Sequence, residues 1–189
     1  MTDAAARKNL AEIIYRRSFG RGDVTLASGK KSDYYFDMKP SMLDPRGAET
    51  IARMMHERVV AAGADHVGGL ELGAVPITGS LVAVSVSCGK PLRGFIMRKK
   101  QKEHGAKKHI EGLAAGESLK GKKIAILEDV TTTGGSAAQV IEECRAQGAE
   151  VALVLSIVDR DEGAAEFFAG RGVKFEALFK AGEFRSRTD

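Results

Sequence analysis

The sequence has no tryptophan, only two cysteines and only four prolines among its 189 residues. Two cysteines are too few for the disulfide framework that stabilises small secreted domains. The N-terminal stretch MTDAAARKNLAEIIYRR is charged and amphipathic, whereas a signal peptide needs an uninterrupted apolar segment. These absences predict a reduced, cytoplasmic compartment, with Cys88 and Cys144 as small buried side chains.

Long apolar runs are also missing. The longest run without a charged residue, 72–89, approaches the length of a membrane span, but it contains a proline, three glycines and several Ser and Thr residues. This composition favours a buried segment that is interrupted by a loop. We therefore expect no transmembrane helix and no membrane partner.

Positive charge is scarce outside one segment. The net charge is +4, but residues 98–109, RKKQKEHGAKKH, carry six Lys or Arg and one Glu, so the rest of the chain sums to −1. By itself such a segment fits either a solvated loop or a site for a polyanion. A nucleic-acid-binding protein would need basic residues beyond it, so we expect no nucleic-acid partner.

The order of the apolar segments predicts an α/β fold in one domain, 1–189. The runs IAIL and VALVLSIV are continuous, which is typical of parallel strands that are buried on both faces. Strands are predicted near 24–26, 34–38, 66–70, 92–99, 123–130, 151–158 and 173–179, and helices near 3–19, 45–62, 76–88, 136–147 and 164–169. Between them, 100–120 is glycine-rich, charged and weakly periodic, which predicts a mobile functional loop.

The segment 123–136, KIAILEDVTTTGGS, joins an apolar strand to two acids, three threonines, two glycines and a serine. In a parallel sheet, ligands bind outside the carboxyl ends of the strands, which is where Glu128 and Asp129 are expected. The hydroxyls and backbone N–H groups of 131–136 lead into a helix and suit a phosphate monoester. The acids suit vicinal hydroxyls or a hydrated Mg²⁺ ion. The ligand should therefore carry both a sugar diol and a phosphate.

Two nucleotide-binding motifs do not match this segment. A P-loop needs a lysine after its glycines, but Ser136 is followed by Ala137, and no GxGxxG follows a strand. A simple capped helix would account for the glycines and Ser136. It would not account for two carboxylates at the end of a buried strand.

The stretch IAILEDVTTTGGS resembles the 5-phosphoribosyl 1-diphosphate (PRPP) binding motif of the type I phosphoribosyltransferases. The resemblance implies a central, mostly parallel sheet with helices on both faces, a small N-terminal hood at about 20–40 and a long flexible catalytic loop at 98–120. It also implies Mg²⁺ as a cofactor, held mainly through PRPP near the two acids. The residues implied to bind PRPP in this stretch are Glu128, Asp129, Val130, Thr131, Thr132, Thr133, Gly134, Gly135 and Ser136.

Three further stretches resemble the orotate phosphoribosyltransferases within that family. RKKQKEHG is similar to their catalytic loop, SGKKSDYYFDMK to their substrate segment, and SIVDRDEG to the segment whose arginine meets the carboxylate of orotate. The implied pyrophosphate contacts are Arg98, Lys99, Lys102 and His104, and the implied orotate contacts are Tyr35, Phe36, Thr132 and Arg160. Lys102, His104, Glu128 and Asp129 are the implied catalytic residues.

The resemblance implies that the chain joins orotate to PRPP, giving orotidine 5′-monophosphate and pyrophosphate, as a homodimer whose catalytic loop closes over the neighbouring site. The sequence departs from the family pattern at two points. Glu71 and Leu72 stand where many bacterial members have Tyr-Lys, and Ala27 stands where some have lysine, so these lysine contacts are not expected.

Two alternatives remain at this stage. A phosphoribosyltransferase for a purine or uracil would usually have a shorter loop without the Lys and His cluster of 98–104. A PRPP-sensing regulator of the same fold that binds nucleic acid would need basic residues outside that loop, where the chain has a net charge of −1.

Overall fold

The computed structural model describes residues 3–25, 29, 31–99 and 109–187. The helices in these ranges are α1 (Asp3–Arg17), α2 (Lys39–Met42), α3 (Pro45–Ala61), α4 (Ala74–Ser87), α5 (Gly135–Ala146), α6 (Ala164–Ala169) and α7 (Gly182–Arg185). The strands are β1 (Phe19–Thr25), β2 (Lys31–Phe36), β3 (His66–Leu70), β4 (Arg93–Met97), β5 (Ile110–Glu111), β6 (Lys123–Thr131), β7 (Glu150–Asp159) and β8 (Lys174–Lys180). No helix in this part of the chain is long and apolar enough to cross a membrane.

Six strands form one sheet in the order β5-β4-β3-β6-β7-β8. Every neighbouring pair is parallel except β4 and β5, which run antiparallel. The remaining strands, β1 and β2, form a separate antiparallel pair that we call the hood. The central, mostly parallel sheet predicted from the apolar runs is therefore confirmed.

Side chains of β6 alternate between two apolar clusters, one on each face of the sheet. Ala125 and Leu127 belong to the cluster that includes residues of α1, α3 and α4, whereas Ile124 and Ile126 belong to the cluster that includes residues of α5 and α6. All four side chains are fully buried, and each large one contributes about 1.5–3 kcal/mol of burial free energy. Helices on both faces account for the continuous apolar composition of this strand.

Local signals account for the helix boundaries near the sheet. The carboxylate of Asp44 accepts hydrogen bonds from the N–H groups of Arg46 and Gly47 and caps α3, whose first residue is Pro45. After α3, Gly63 has a φ of 72° in the left-handed region, which ends the helix. These features were readable from the sequence because capping involves residues that are adjacent in the chain.

Several predicted boundaries are wrong or incomplete. The hood strands begin several residues earlier than predicted, and the short helices α2 and α7 were not predicted. The loop expected over the whole of 98–120 is too broad, because β5 pairs with β4 and the side chains of Ile110 and Leu119 are buried. A two-residue strand and one-turn helices have too little periodicity to be recognised from a sequence pattern.

Candidate active site

A crevice begins where β3 stops pairing with β6. β3 pairs with β6 only as far as Ile126, whereas β7 continues beside β6 to Thr131. Glycine at position 69 permits the close approach of the two strands, because a Cβ there would lie 2.3 Å from the carbonyl oxygen of Leu127. Glu128 and Asp129 follow Leu127 on β6, so both acids lie at the carboxyl edge of the sheet, where ligands bind in α/β proteins.

Both acids are costly to keep charged. Glu128 is 8% exposed, and burial together with the charge of Asp129 raises its pKa to about 8. Burial also raises the pKa of Asp129, although the N–H of Val130 donates to Asp129 Oδ1 at 2.9 Å and opposes this shift. Two adjacent carboxyls with raised pKa values at a crevice are typical of a functional site.

The N-terminus of α4 lies against Asp129. A Cβ on Gly73, the residue before the helix, would lie 2.5 Å from Asp129 Oδ1, so glycine allows the carboxyl to approach the backbone. The positive end of the α4 dipole is therefore placed beside an acid, which favours the charged form. This contact joins the end of β6 to the loop that follows β3.

The link from β6 to α5 forms the other side of the crevice. Gly134 has a φ of 89°, and a Cβ there would lie 2.7 Å from Cζ of Phe168, so both the backbone and the packing select glycine. Because Gly134 has no side chain to cap α5, the N–H groups of the first helical turn are offered to a ligand. An anion, in particular a phosphate, is the ligand that such a terminus favours.

A cavity of about 270 Å³ lies between these elements. It is lined by Lys39, Leu70, Glu71, Leu72, Gly73, Ala74, Lys99, Glu128, Asp129, Val130 and Ser136. Five of the residues predicted to bind PRPP therefore surround one cavity: Lys99, Glu128, Asp129, Val130 and Ser136. The other predicted members of the motif, Thr131, Thr132, Thr133, Gly134 and Gly135, continue the chain between Val130 and Ser136.

Glu71 has a structural contact at this cavity. Its carboxylate oxygen Oε1 accepts a hydrogen bond of 2.9 Å from the backbone N–H of Lys99. Glu71, which stands where many bacterial members have the tyrosine of Tyr-Lys, thus holds the point where the predicted catalytic loop begins, and Leu72 occupies the lysine position. Glu71 adds negative charge to a wall for which the family pattern predicts positive charge.

The predicted loop residues are only partly placed. The backbone N–H of Arg98 donates to the carbonyl oxygen of His109 at 2.9 Å, and its guanidinium lies 3.5 Å from the carboxylate of Glu111. Arg98 therefore joins the two ends of the segment, whereas Lys99 reaches the cavity. Lys102 and His104 lie outside the described residues, so their proposed contacts remain predictions.

The two predicted aromatic contacts differ in environment. Tyr35 is 42% exposed. Its ring packs on the backbone of Gly20, where a Cβ would lie only 2.3 Å from the Tyr35 ring carbon Cζ. The Phe36 ring packs 5.3 Å from that of Phe19 and 5.4 Å from that of Phe184, between ring centroids. Tyr35 is thus accessible to a ligand, while Phe36 is part of an aromatic cluster under the hood.

Arg160 connects the sheet to the hood. Thr131 pairs with Asp159, so Thr132 and Arg160 follow the ends of neighbouring strands. The Arg160 side chain is buried, and its guanidinium donates to Glu162 Oε1 at 2.9 Å and to the hydroxyl of Ser32 at 3.1 Å. A guanidinium at this edge of the sheet suits a planar carboxylate ligand.

Residues that the sequence did not indicate also meet here. A second cavity of about 460 Å³ is lined by Tyr34, Arg160 and Arg185 together with other residues of β2, of the loop after β7 and of the start of α7. Both guanidinium carbons lie over the Tyr34 ring, at 4.2 Å for Arg160 and 4.8 Å for Arg185 from the ring centroid. Of the missed residues, Lys39 and Tyr34 had a signal, because both fall in the stretch SGKKSDYYFDMK.

Comparison with protein families finds a match to the phosphoribosyl transferase domain over residues 41–167. An orotate phosphoribosyltransferase of Bradyrhizobium sp. (strain ORS 278) is 55% identical over 184 residues, which cover 97% of this chain and 100% of that protein. An orotate phosphoribosyltransferase of Aquifex aeolicus is 41% identical and covers 94% of this chain and 96% of its own.

Solved structures show the same similarity. An orotate phosphoribosyltransferase of Mycobacterium tuberculosis, determined in complex with PRPP, superposes with a TM-score of 0.78 at 32% identity. The match covers 95% of this chain and 99% of that one. The family and fold expected from the motif 124–136 are therefore confirmed across nearly the whole chain.

Proposed function

Because this chain belongs to the phosphoribosyltransferase family, and within it to the orotate phosphoribosyltransferases, we propose that its substrates meet at the acid pair Glu128 and Asp129. The enzyme transfers the 5-phosphoribosyl group of PRPP to orotate and releases pyrophosphate. The product is orotidine 5′-monophosphate, and the reaction belongs to pyrimidine nucleotide synthesis. The observation that carries the assignment of the site is the cavity in which the acid pair and the start of α5 come together.

The 5-phosphate of PRPP binds at the link from β6 to α5, residues 131–136. The hydroxyls of Thr132, Thr133 and Ser136 are not buried and are available there as donors, whereas the side chain of Thr131 is fully buried. The first N–H groups of α5 point out of a helix that has no side-chain cap. The close packing of Gly134 on Phe168 holds this link in place before the substrate arrives. A preorganised phosphate site fixes one end of the ribosyl group.

The ribose diol binds at the two acids. Glu128 and Asp129 line the same cavity as Ser136, Gly73 and Lys99. Carboxylates accept hydrogen bonds from vicinal hydroxyls, and these bonds replace the water that burial has removed. Binding of the diol therefore compensates part of the desolvation cost of the free site.

Mg²⁺ fits this donor set. The described residues contain no group of three or more His, Cys, Asp or Glu side chains arranged to hold a metal. Magnesium usually keeps several waters and binds through one or two carboxylates together with substrate phosphates, which matches an adjacent Glu128 and Asp129. When bound, Mg²⁺ would neutralise part of the diphosphate charge.

The leaving pyrophosphate is stabilised by basic residues. As the bond between C1′ and the diphosphate breaks, negative charge develops on the leaving group and positive charge on the ribose ring. Lys99 lines the cavity, and Arg98, Lys102 and His104 belong to the segment that starts beside it. Positive groups brought to the diphosphate while water is excluded lower the free energy of this transition state.

Orotate binds on the hood side of the acids. The guanidinium of Arg160 meets the orotate carboxylate, Thr132 lies at the end of the neighbouring strand, and Tyr35 provides an exposed ring for the pyrimidine. Phe36, the next residue along the strand, packs against Phe19 and Phe184 in the aromatic cluster. These contacts direct N1 of orotate at C1′ of the ribose.

The test of this function is a pyrophosphate-release assay with PRPP, Mg²⁺ and one base at a time. Orotate should give the largest kcat/KM, and uracil, hypoxanthine and adenine should each give far less, because they lack the carboxylate that Arg160 recognises. A purine used as efficiently as orotate would refute the assignment.

The shared loop of the proposed homodimer has a separate test. Mixing Lys102→Ala chains with Asp129→Asn chains forms hybrid dimers in which one site combines an intact loop with an intact acid pair. Random exchange should restore roughly a quarter of wild-type activity if both parents are nearly inactive. Hybrids that are detected by mass spectrometry but show only parental activity would mean that the loop acts within its own subunit.

A further inference from the structure

Lys39 lines the cavity beside Glu128 and Asp129 although it comes from a distant part of the sequence. It is the first residue of α2 and follows the hood strand β2 after a link of two residues. In this link, the N–H of Asp37 donates to the carbonyl oxygen of Ser18 at 2.9 Å, and the side chain of Met38 is fully buried. The backbone that carries Lys39 is therefore anchored next to the cavity.

Asp37 orients the Lys39 side chain. Its oxygen Oδ1 accepts from the Lys39 backbone N–H at 3.2 Å and from the Lys39 ammonium nitrogen Nζ at 2.6 Å. The Asp37 contact and, more weakly, the charge of Asp129 raise the pKa of Lys39, so the side chain is charged at neutral pH. An ammonium group has three N–H donors, so it can bind a substrate anion while it stays in contact with Asp37.

The cavity lining has more acidic than basic side chains, so a polyanionic substrate needs an additional cation there. Among the described residues, the lining contains the carboxyl groups of Glu71, Glu128 and Asp129 but only two lysines, Lys39 and Lys99. PRPP is a polyanion, and like charges at short range in a partly desolvated site are strongly unfavourable. Without Lys39, Lys99 would be the single ammonium group of the described lining, beside Glu71, Asp129 and a Glu128 whose raised pKa keeps it mostly protonated at neutral pH.

The position of Lys39 indicates which part of PRPP this side chain can contact. The 5-phosphate has its own donors at the start of α5, and Arg160, the proposed orotate contact, lines the other cavity. The diphosphate of PRPP is attached to C1, next to the C2 hydroxyl of the diol that the acids hold. A cation that shares a cavity with the acids and with Lys99 is therefore placed for the diphosphate.

On the basis of the proposed function, we propose that Lys39 binds the diphosphate of PRPP and that Asp37 is a positioning residue that holds the Lys39 ammonium group at the cavity. In this arrangement, a lysine from the hood connection supplies positive charge at a wall where the loop after β3 supplies the acid Glu71. The hood thereby contributes to diphosphate recognition as well as to the base site.

The experiment measures pyrophosphate and orotidine 5′-monophosphate binding by calorimetry, with Mg²⁺ and the full-length enzyme. Lys39→Ala should weaken pyrophosphate binding by about tenfold or more, because a charge-assisted contact is lost. It should change the affinity for orotidine 5′-monophosphate less than about twofold, because that product carries the 5-phosphate and the base but no diphosphate. Lys39→Arg, which keeps the charge, should restore most of the pyrophosphate affinity.

Lys174→Ala is the matched control. Lys174 is also an exposed lysine paired with a carboxylate, at 2.5 Å from Glu176, but it lies at the amino end of β8, the opposite edge of the sheet. This variant should bind both ligands as the wild type does. A loss of pyrophosphate affinity in Lys174→Ala would show that general surface charge, and not the position of Lys39, is responsible.

The role of Asp37 is tested by a double-mutant cycle. Asp37→Asn should weaken pyrophosphate binding in the wild-type background and have no further effect in the Lys39→Ala background, because it acts through the ammonium group. Equal effects in both backgrounds would show a merely structural role for Asp37.

Two outcomes would overturn the assignment of Lys39: unchanged pyrophosphate binding by Lys39→Ala, or an equal loss for orotidine 5′-monophosphate. Both measurements are made without turnover. A wild type that binds pyrophosphate through Lys39 but does not use orotate would refute the proposed function and leave this assignment standing.

Discussion

The segment 128–136 and the hood both lie at the carboxyl edge of the sheet, but they are assembled differently. In the segment, two acids, the phosphate link and the start of α5 are consecutive in the chain. In the hood, Ser32 and Tyr34 of β2 meet Arg160, which follows β7, and Arg185 of α7. The segment 128–136 shows that a short stretch of sequence can contain most residues of a binding site. The hood shows a site that is formed by tertiary contacts between distant residues.

The two regions also differ in how their charged side chains affect the stability of the free enzyme. Glu128 and Asp129 are buried with raised pKa values, so they cost stability in the free enzyme. Arg160 is buried but has a carboxylate, a hydroxyl and an aromatic ring as partners, so it stabilises the contact between the hood and the sheet. Substitutions in the two regions should therefore affect activity in the same direction and stability in opposite directions.

Asp129→Asn should have the largest effect on activity. We expect kcat/KM for PRPP to fall by about 100-fold, since the substituted side chain loses the charge that holds the diol. The melting temperature should be equal to or higher than that of the wild type, because a poorly solvated carboxyl has been removed. Calorimetric unfolding together with steady-state kinetics checks both; a large drop in melting temperature would mean that Asp129 is structural.

Arg160→Ala should raise KM for orotate by about 10- to 100-fold and leave KM for PRPP nearly unchanged, since a charge-assisted contact to the carboxylate is lost. In contrast to the acid pair, the variant should be less stable than the wild type by about 1–3 kcal/mol, because the contacts of the buried Arg160 side chain with Glu162, Ser32 and the Tyr34 ring are lost. Arg160→Lys, which keeps the charge but not the planar fork, should recover only part of the orotate affinity. Equal losses for both substrates would argue against an orotate contact.

The pH dependence of stability should separate the regions further. Because the pKa of Glu128 is raised to about 8 in the folded enzyme, its folded form binds more protons than the unfolded chain above the ordinary pKa of Glu. The contribution of Glu128 to stability is therefore present at low pH and is lost as the pH rises through about 8. Glu128→Gln should remove most of this decline in urea unfolding measured at successive pH values, whereas a decline as steep as in the wild type would place the titrating group elsewhere.

Arg185→Ala should have the smallest effect, a rise of about two- to fivefold in KM for orotate. The Arg185 guanidinium over the Tyr34 ring is a partly exposed cation–π contact, and such contacts contribute about 0.5–1 kcal/mol. Arg171→Ala is the control, because Arg171 lies over the Phe167 ring at 3.6 Å but away from the hood. If both variants behave as the wild type with orotate, the C-terminal helix α7 does not support the base site.

Much of the fold was predictable because its signals are local. The apolar runs of β6 and β7 predicted buried parallel strands, and the helix predicted near 45–62 begins at Pro45, directly after the capping residue Asp44. The one-turn helices α2 and α7 and the two-residue strand β5 carry no comparable pattern, because tertiary packing rather than periodicity determines elements of this length.

The sequence by itself determined the family, the parallel sheet and the chemistry expected at 128–136, because strand burial, helix termini and adjacent acids depend on residues next to one another. Only the tertiary structure decided that Lys39 reaches the acid pair, that Glu71 holds the start of the loop, and that Arg185 joins Arg160 over Tyr34. Such contacts arise from the packing of the hood and α7 on the sheet. A contact between side chains of different elements produces no periodic pattern in the amino-acid sequence, so it cannot be predicted from that pattern.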